Sequence, residues 1–199
     1  MENYPNINKD LIKIFFIIST IIVSLLLMNC SRMSEIINDP KAGFNGSFEI
    51  TKSGLPVNWY VYSPSTIPSG DYNLIFDLSD KIEGNQSLKF IVRECVPTGG
   101  WLSPGCFQTI PAITGNSYNV SFWLKNQGCE FNLSIGSERV REPGRHIGKI
   151  FKNDDATDTW QQFEYVYAVP QGFENIRFEL NILKPGILSI DDVKIEEIK

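Results

Sequence analysis

The chain is poor in the residues that carry most metal and nucleophilic chemistry. Among 199 residues it has one histidine, His146, four cysteines and three methionines. With one imidazole in the chain, no Cys/His spacing suggests zinc. No serine or cysteine stands in a nucleophile context, and no glycine-rich phosphate loop follows a strand. No basic stripe is present, and the formal net charge is a mild −5. That balance argues against nucleic acid as a partner and against electrostatic docking on an anionic membrane. No segment sustains a 3.6-residue period, and there is no internal repeat or low-complexity stretch. The one long apolar run, Ile14 to Met28, is 15 residues, shorter than the ~20 that span a bilayer comfortably.

That run follows Lys9 and Lys13 and ends in Leu27-Met28-Asn29-Cys30. It reads as a targeting segment. The ending resembles a bacterial lipobox, with Asn29 where Gly, Ala or Ser is usual. The resemblance implies a signal peptide over 1–29, lipidation of Cys30 and anchoring in a bacterial cell envelope, with the outer membrane favoured by Ser31. Acyl chains would hold such an anchor, each buried CH₂ contributing about 0.8 kcal/mol. Residues 30–42 read as a tether. Membrane contact is expected through the lipid alone.

An apolar fraction of 42% and an aromatic fraction of 12% suffice for one sizeable core. From Phe44 onward the period is two. Tyr118, Val120, Phe122 and Leu124 alternate with polar neighbours, and Ile176, Phe178, Leu180 and Ile182 alternate with Arg177, Glu179 and Asn181. Phe131–Ile135 and Phe163–Tyr167 repeat the pattern. Each such stretch has one buried and one wetted face. Turn signals at Gly84-Asn85, Gly99-Gly100, Gly115-Asn116, Pro143-Gly144, Asn153-Asp154-Asp155 and Pro185-Gly186 separate about ten short strands. The expectation is an all-β chain folded as a sandwich or barrel, in a single domain over 43–199. The apolar phase slips between Ile190 and Val193, which predicts a bulge.

Cys95 and Cys106 flank a Gly/Pro-rich loop and are the expected disulfide in an exported chain. Closing about 12 residues would contribute ~2–3 kcal/mol in the chain-entropy model. Bridges from Cys129 to either partner stay open, because sequence does not fix connectivity.

The order of segments carries more. Asn45-Gly46-Ser47-Phe48-Glu49 comes first, then Gly54-Leu55-Pro56-Val57-Asn58-Trp59, Gly84-Asn85-Gln86-Ser87-Leu88-Lys89-Phe90 and Thr114 to Lys125. Trp160-Gln161-Gln162-Phe163 follows, and Ile190-Asp191-Asp192-Val193 closes the frame. This frame resembles the carbohydrate-binding modules of families 4, 9 and 22, among the galactose-binding-like jelly rolls. The resemblance implies a jelly-roll β-sandwich of two antiparallel sheets. It implies a structural calcium held by Glu49 and by Asp191 or Asp192, with further oxygens completing the shell. It also implies a glycan or polysaccharide as partner.

Trp101 has no match in that frame. It sits on the Cys95–Cys106 loop, either as a platform for a sugar ring or as a plug at the end of the sandwich. Trp123 lies opposite its apolar neighbours on the pleat and is the second stacking candidate. Arg93, Glu94 and Gln108 lie near the loop in sequence and offer hydrogen bonds to hydroxyls. Tyr60, Tyr62 and Tyr72 are weaker groove candidates, with packing roles favoured. A glycosidase needs two carboxylates across a cleft, about 5–10 Å apart. Asp77, Asp80, Glu83, Asp154, Asp155 and Asp158 all sit in turn-like surroundings, and His146 reads as a surface or satisfied core residue. The expectation is non-catalytic glycan binding. The alternative is a structural or adhesive envelope protein that uses the sandwich to grip another protein.

Overall fold

The computed structural model describes residues 33–67, 69–139, 143–152 and 157–199. The expected signal peptide, Cys30 and the Asn153-Asp154-Asp155 turn lie outside the described residues. The twelve strands in them are β1 (Thr51–Lys52), β2 (Leu55–Pro56), β3 (Tyr60–Tyr62), β4 (Asp71–Asp77), β5 (Ser87–Glu94), β6 (Gly105–Pro111), β7 (Ser117–Gln127), β8 (Phe131–Glu138), β9 (Arg145–Lys152), β10 (Gln161–Ala168), β11 (Asn175–Ile182) and β12 (Gly186–Glu197). β1 and β2 form a small hairpin over Ser53 and Gly54, both at positive φ (52° and 77°), as the twist of a two-residue turn requires.

The remaining strands make two five-stranded sheets. The first runs β10-β7-β12-β5-β4 and the second β3-β6-β11-β8-β9, with every pairing antiparallel. Period-two patterning produces the core directly. Ile176, Phe178, Leu180 and Ile182 on β11 are fully buried. Phe178, Leu180 and Ile182 lie beside Ile135, Leu133 and Phe131 of β8 in register. Val120, Phe122 and Leu124 bring the facing layer from β7, and Phe122 meets Phe178 edge to face at 5.3 Å. Such offset contacts suit aromatic quadrupoles. The sandwich is the predicted fold.

The ends of the domain meet where the phase slip was read. Register shifts on β12 between Asp191 and Lys194, and Asp192 takes φ 48°. The bulge turns the Val193 N–H toward the first segment, where it donates to the Gly46 carbonyl at 3.0 Å. A Cβ at Gly46 would lie 1.9 Å from the Val193 oxygen, so only glycine permits this approach. Trp59 packs on Phe48 at 4.9 Å and donates its indole N–H to the Asn45 carbonyl.

Residues 33–42, read from the sequence as tether, carry structure of their own. Glu35 exchanges two 2.8 Å backbone hydrogen bonds with Val61 on β3, and the Asn58 side-chain amide accepts from the Asp39 N–H and donates to the Asp39 carbonyl. Residues 33–42 therefore belong to the sandwich. Their polar composition concealed a pairing that β3, an edge strand with unpaired backbone groups, makes available.

Candidate functional site

β11 is the central strand of the second sheet, and all eight of its residues are buried. Its even positions fill the core. Its odd positions, Asn175, Arg177, Glu179 and Asn181, face outward yet are also closed off, because neighbouring strands and side chains wall them in. This outward face holds a linked network of polar side chains. Glu179 Oε1 accepts from the Tyr62 hydroxyl at 2.8 Å. Its Oε2 accepts from Arg177 Nε and Arg145 Nη1, both at 2.9 Å. Arg177 also reaches Glu138 at 3.3 Å, and Thr109 donates to the same carboxylate at 3.0 Å.

Burial pushes the Glu179 carboxyl up, but the Arg177 hydrogen bond and charge, Tyr62 and Arg145 outweigh it. The net direction is below the ordinary glutamate value. Burial and the Glu179 charge raise Tyr62, which keeps its proton and serves as donor. Opposite charges and fixed donors thus hold Glu179 ionised in a dry setting.

Aromatic rings flank this network toward β3. Phe107 on β6 lies between two flat groups. Tyr60 stacks on it at 4.6 Å with planes 2° apart, and the Arg177 guanidinium carbon lies 3.6 Å from its ring centroid. A guanidinium on an aromatic face is electrostatically favourable, more so when desolvated. On the β9 side a pocket of about 20 Å³ opens, lined by Ser134, Gly136, Arg145, His146, Arg177 and Glu179 among others. It has room for roughly one water-sized group. The outward face therefore runs from an aromatic wall, across a charged floor, to a small polar pocket.

The four residues expected to bind sugar do not converge. Trp101 is 46% exposed on a 3₁₀ turn, Gly100–Leu102, beside the end of β11. Gln108 is on β6 but pairs with Phe178, so its side chain faces inward and is buried. Trp123 and Arg93 lie on the other sheet. Trp123 is half-buried between Gln162 and Asp191 in register. Arg93 is exposed and spent on Asp71 and Asn73. Proximity in sequence to one loop misled here: β5 and β6 belong to different sheets. The residues missed were Arg145, Arg177, Glu179 and Phe107. Three odd-numbered polar residues on one strand were visible as a pattern, but nothing local marked that strand as central.

The Cys95–Cys106 bridge is not formed. All three described cysteines are free thiols. Cys106 is fully buried, and burial with the Glu179 charge drives its thiol far up. The loop is held instead by Ser103, which is fully buried. Its hydroxyl accepts from Gly99 N–H at 2.8 Å and donates to the Val96 carbonyl at 2.5 Å. Cys129, not Cys106, is the electrostatic neighbour of Cys95: burial and the Cys95 charge push its thiol up to about 12.

Glu49 and Asp191 do clasp the chain ends, through N–H donors. Glu49 accepts from Asn85 N, Asn85 Nδ2 and Gln86 N at 2.8–3.0 Å. Asp191 is fully buried; its Oδ2 accepts from Ile82 N and Glu83 N, and its Oδ1 from Asp192 N. Asp192 is paired with Lys194 at 2.7 Å. Among the described residues no group of three or more acidic, Cys or His side chains is placed to hold a metal. Calcium needs six to eight oxygens, and N–H donors cannot ligate a cation. As arranged, these carboxylates fit the peptide of residues 82–86 and not a calcium shell.

No protein-family model matches the chain, and the search of curated proteins also finds no match. Solved structures do match. The chain is similar to a protein described as "CBM4 structure and function", with 18% identity, 77% of this chain and 98% of that one covered, and a TM-score of 0.55. It is similar to the CBM22-1 xylan-binding domain from Paenibacillus barcinonensis Xyn10C, with 15% identity, coverage of 77% and 92%, and a TM-score of 0.52. A further match is the enzymatically active domain of bacteriophage CBA120 tailspike protein 4, with 20% identity and a TM-score of 0.56; it covers 77% of this chain but only 21% of that one. The sandwich of this chain has the jelly-roll fold of the carbohydrate-binding modules of families 4 and 22.

Proposed function

We propose that the protein binds a glycan or polysaccharide, without catalysis, on the outward face of the sheet β3-β6-β11-β8-β9. The observation that carries this reading is the buried Arg177–Glu179 pair on the floor of that face, joined by the exposed Arg145, between the Tyr60–Phe107 stack and the polar pocket. Ordered polar groups on a central strand, beside aromatic surface, are what hydroxyl-rich ligands require. The fold, shared with a xylan-binding domain, supports the reading.

Catalysis is a poorer fit. Glu138 and Glu179 both face this groove, and Arg177 bridges them. A glycosidase acid must hold a proton near neutral pH. Glu179 is instead held ionised by two arginines and does not serve as that acid.

The anchor belongs to the same proposal. Lipidation of Cys30 would place the domain on the bacterial cell envelope, in our reading the outer membrane. A glycan-array screen of the full chain tests the binding. Arg145→Ala should abolish it and Trp123→Ala, on the opposite sheet, should not. Binding lost with Trp123→Ala alone would move the site to the other sheet. A well-folded protein that binds no glycan would favour the structural or adhesive envelope role.

A further inference from the structure

We infer that Cys95 and Cys129 are an oxidation site, which closes into one intramolecular disulfide when a disulfide oxidant meets the folded chain. The inference is independent of the glycan reading above.

Cys129 is held in place by its neighbours. It is buried in the turn between β7 and β8. The side-chain amide of Asn126 accepts from the Cys129 N–H at 2.9 Å and donates to the Cys129 carbonyl at 3.0 Å. The next carbonyl, that of Glu130, accepts from the Leu183 N–H at 2.7 Å. With its backbone pinned, Cys129 rests its Sγ over Gly186, the first residue of β12. A Cβ at Gly186 would lie 2.8 Å from that sulfur and 2.5 Å from the Cys129 nitrogen, so glycine is what admits the thiol there.

The topology brings Cys95 to the same place. Gly186 lies in register with Val92 on β5, that strand ends at Glu94, and Cys95 follows at once. Cys95 packs against the core cluster that contains Cys129. Both thiols sit where the chain leaves the first sheet for the second, one between β5 and β6 and the other between β7 and β8. The Cys95 charge adds to burial in raising the Cys129 thiol, and like charges act in this way at close range. Cys106 is placed differently. It lies on β6 in register between Val61 and Leu180, and all three are fully buried. A thiol walled in on both sides by apolar neighbours is inert.

The chemistry runs in two exchanges, each begun by a thiolate. Cys95 is half-buried and is the thiol a reagent reaches. Its thiolate attacks the oxidant's disulfide, forms a mixed disulfide and releases one thiolate of the oxidant. The Cys129 thiolate then attacks the Cys95 sulfur and expels the second. Two protein S–H bonds are replaced by one S–S bond. The two electrons and two protons pass to the oxidant, which ends as two thiols. Burial raises both protein thiols, so mildly alkaline solution favours the reaction. The new bond fastens the stem of the Trp101 turn, which Ser103 already holds from within, to the β7–β8 turn.

The test starts from the reduced full chain, treated folded with oxidised glutathione in mildly alkaline buffer. Remaining thiols are alkylated, and the protein is digested with trypsin and chymotrypsin. Cleavage after Trp101 separates Cys95 from Cys106, so mass spectrometry distinguishes the two. A peptide pair joining Cys95 to Cys129 should appear, with Cys106 recovered as an alkylated thiol. The oxidised protein should melt about 5 °C or more above the reduced one, because the bond closes a long loop. Cys95→Ser, at a half-buried position, should melt with the reduced protein and lose the rise on oxidation. A bond from Cys106 or Cys30 to either thiol would overturn the pairing. A glutathione adduct on Cys95 that Cys129 never displaces would overturn it as well. So would a Cys95–Cys129 bond that lowers Tm, since the folded geometry would then oppose it.

Discussion

Replacing Glu179 with glutamine tests whether the groove floor is a buried ionic network or a set of incidental surface pairs. The substitution keeps the shape and removes one charge. Glu179 is 2% exposed and holds two guanidinium groups and the Tyr62 hydroxyl. Breaking a buried pair on one side costs about 3–5 kcal/mol, because the partner charge is left stranded. Arg145 is half-exposed and returns to water cheaply. Arg177 keeps Glu138 at 3.3 Å and its stack on Phe107. The expected loss therefore sits at the lower end, about 3 kcal/mol, or roughly 6–12 °C in Tm for a domain of this size. The assay is urea unfolding of both proteins from pH 7 down to pH 3. Glu179 has a lowered folded-state pKa. Its stabilisation is full above its unfolded value and fades as pH falls through the folded one. The gap between the two proteins should therefore close in acid. A loss under about 1 kcal/mol at pH 7, the range of exposed pairs, or a gap that does not shrink in acid, would refute the buried-network account.

Ser103→Ala removes two hydrogen bonds from a buried hydroxyl and should cost about 1–2 kcal/mol in thermal unfolding, with a gain in proteolysis within 96–104; a neutral result would mean that the turn is held by other contacts. Gly46→Ala drives a Cβ into the Val193 carbonyl and should cost about 3 kcal/mol by overpacking. Because Glu49 and Asp191 are filled by N–H donors, a chelator should leave Tm unchanged; a calcium-dependent rise would show that an ion displaces the 82–86 peptide. Oxidation by a disulfide reagent such as oxidised glutathione should join Cys95 to Cys129 rather than to Cys106, as peptide mapping by mass spectrometry would show.

The sequence by itself determined the architecture, because period-two patterning and turn residues are local signals. The strands read at 118–124, 131–135, 163–167 and 176–182 lie within β7, β8, β10 and β11. The phase slip at Asp191 located the bulge for the same reason, since one extra residue inverts the alternation. Glu49 and Asp191 were recognisable as the acids that join the chain ends, although their partners proved to be amides. What only the tertiary structure decided was which strands sit together. Arg177, Glu179 and Asn181 read in sequence as a wetted strand face, and only the central place of β11 turned that face into a buried floor. Arg93 and Gln108, 15 residues apart, were grouped by their nearness to one loop; the crossover between sheets sent them to different layers. The Cys95–Cys106 pairing failed on the same ground. Sequence spacing limits how far apart two thiols can be, but the fold points one of them into the core.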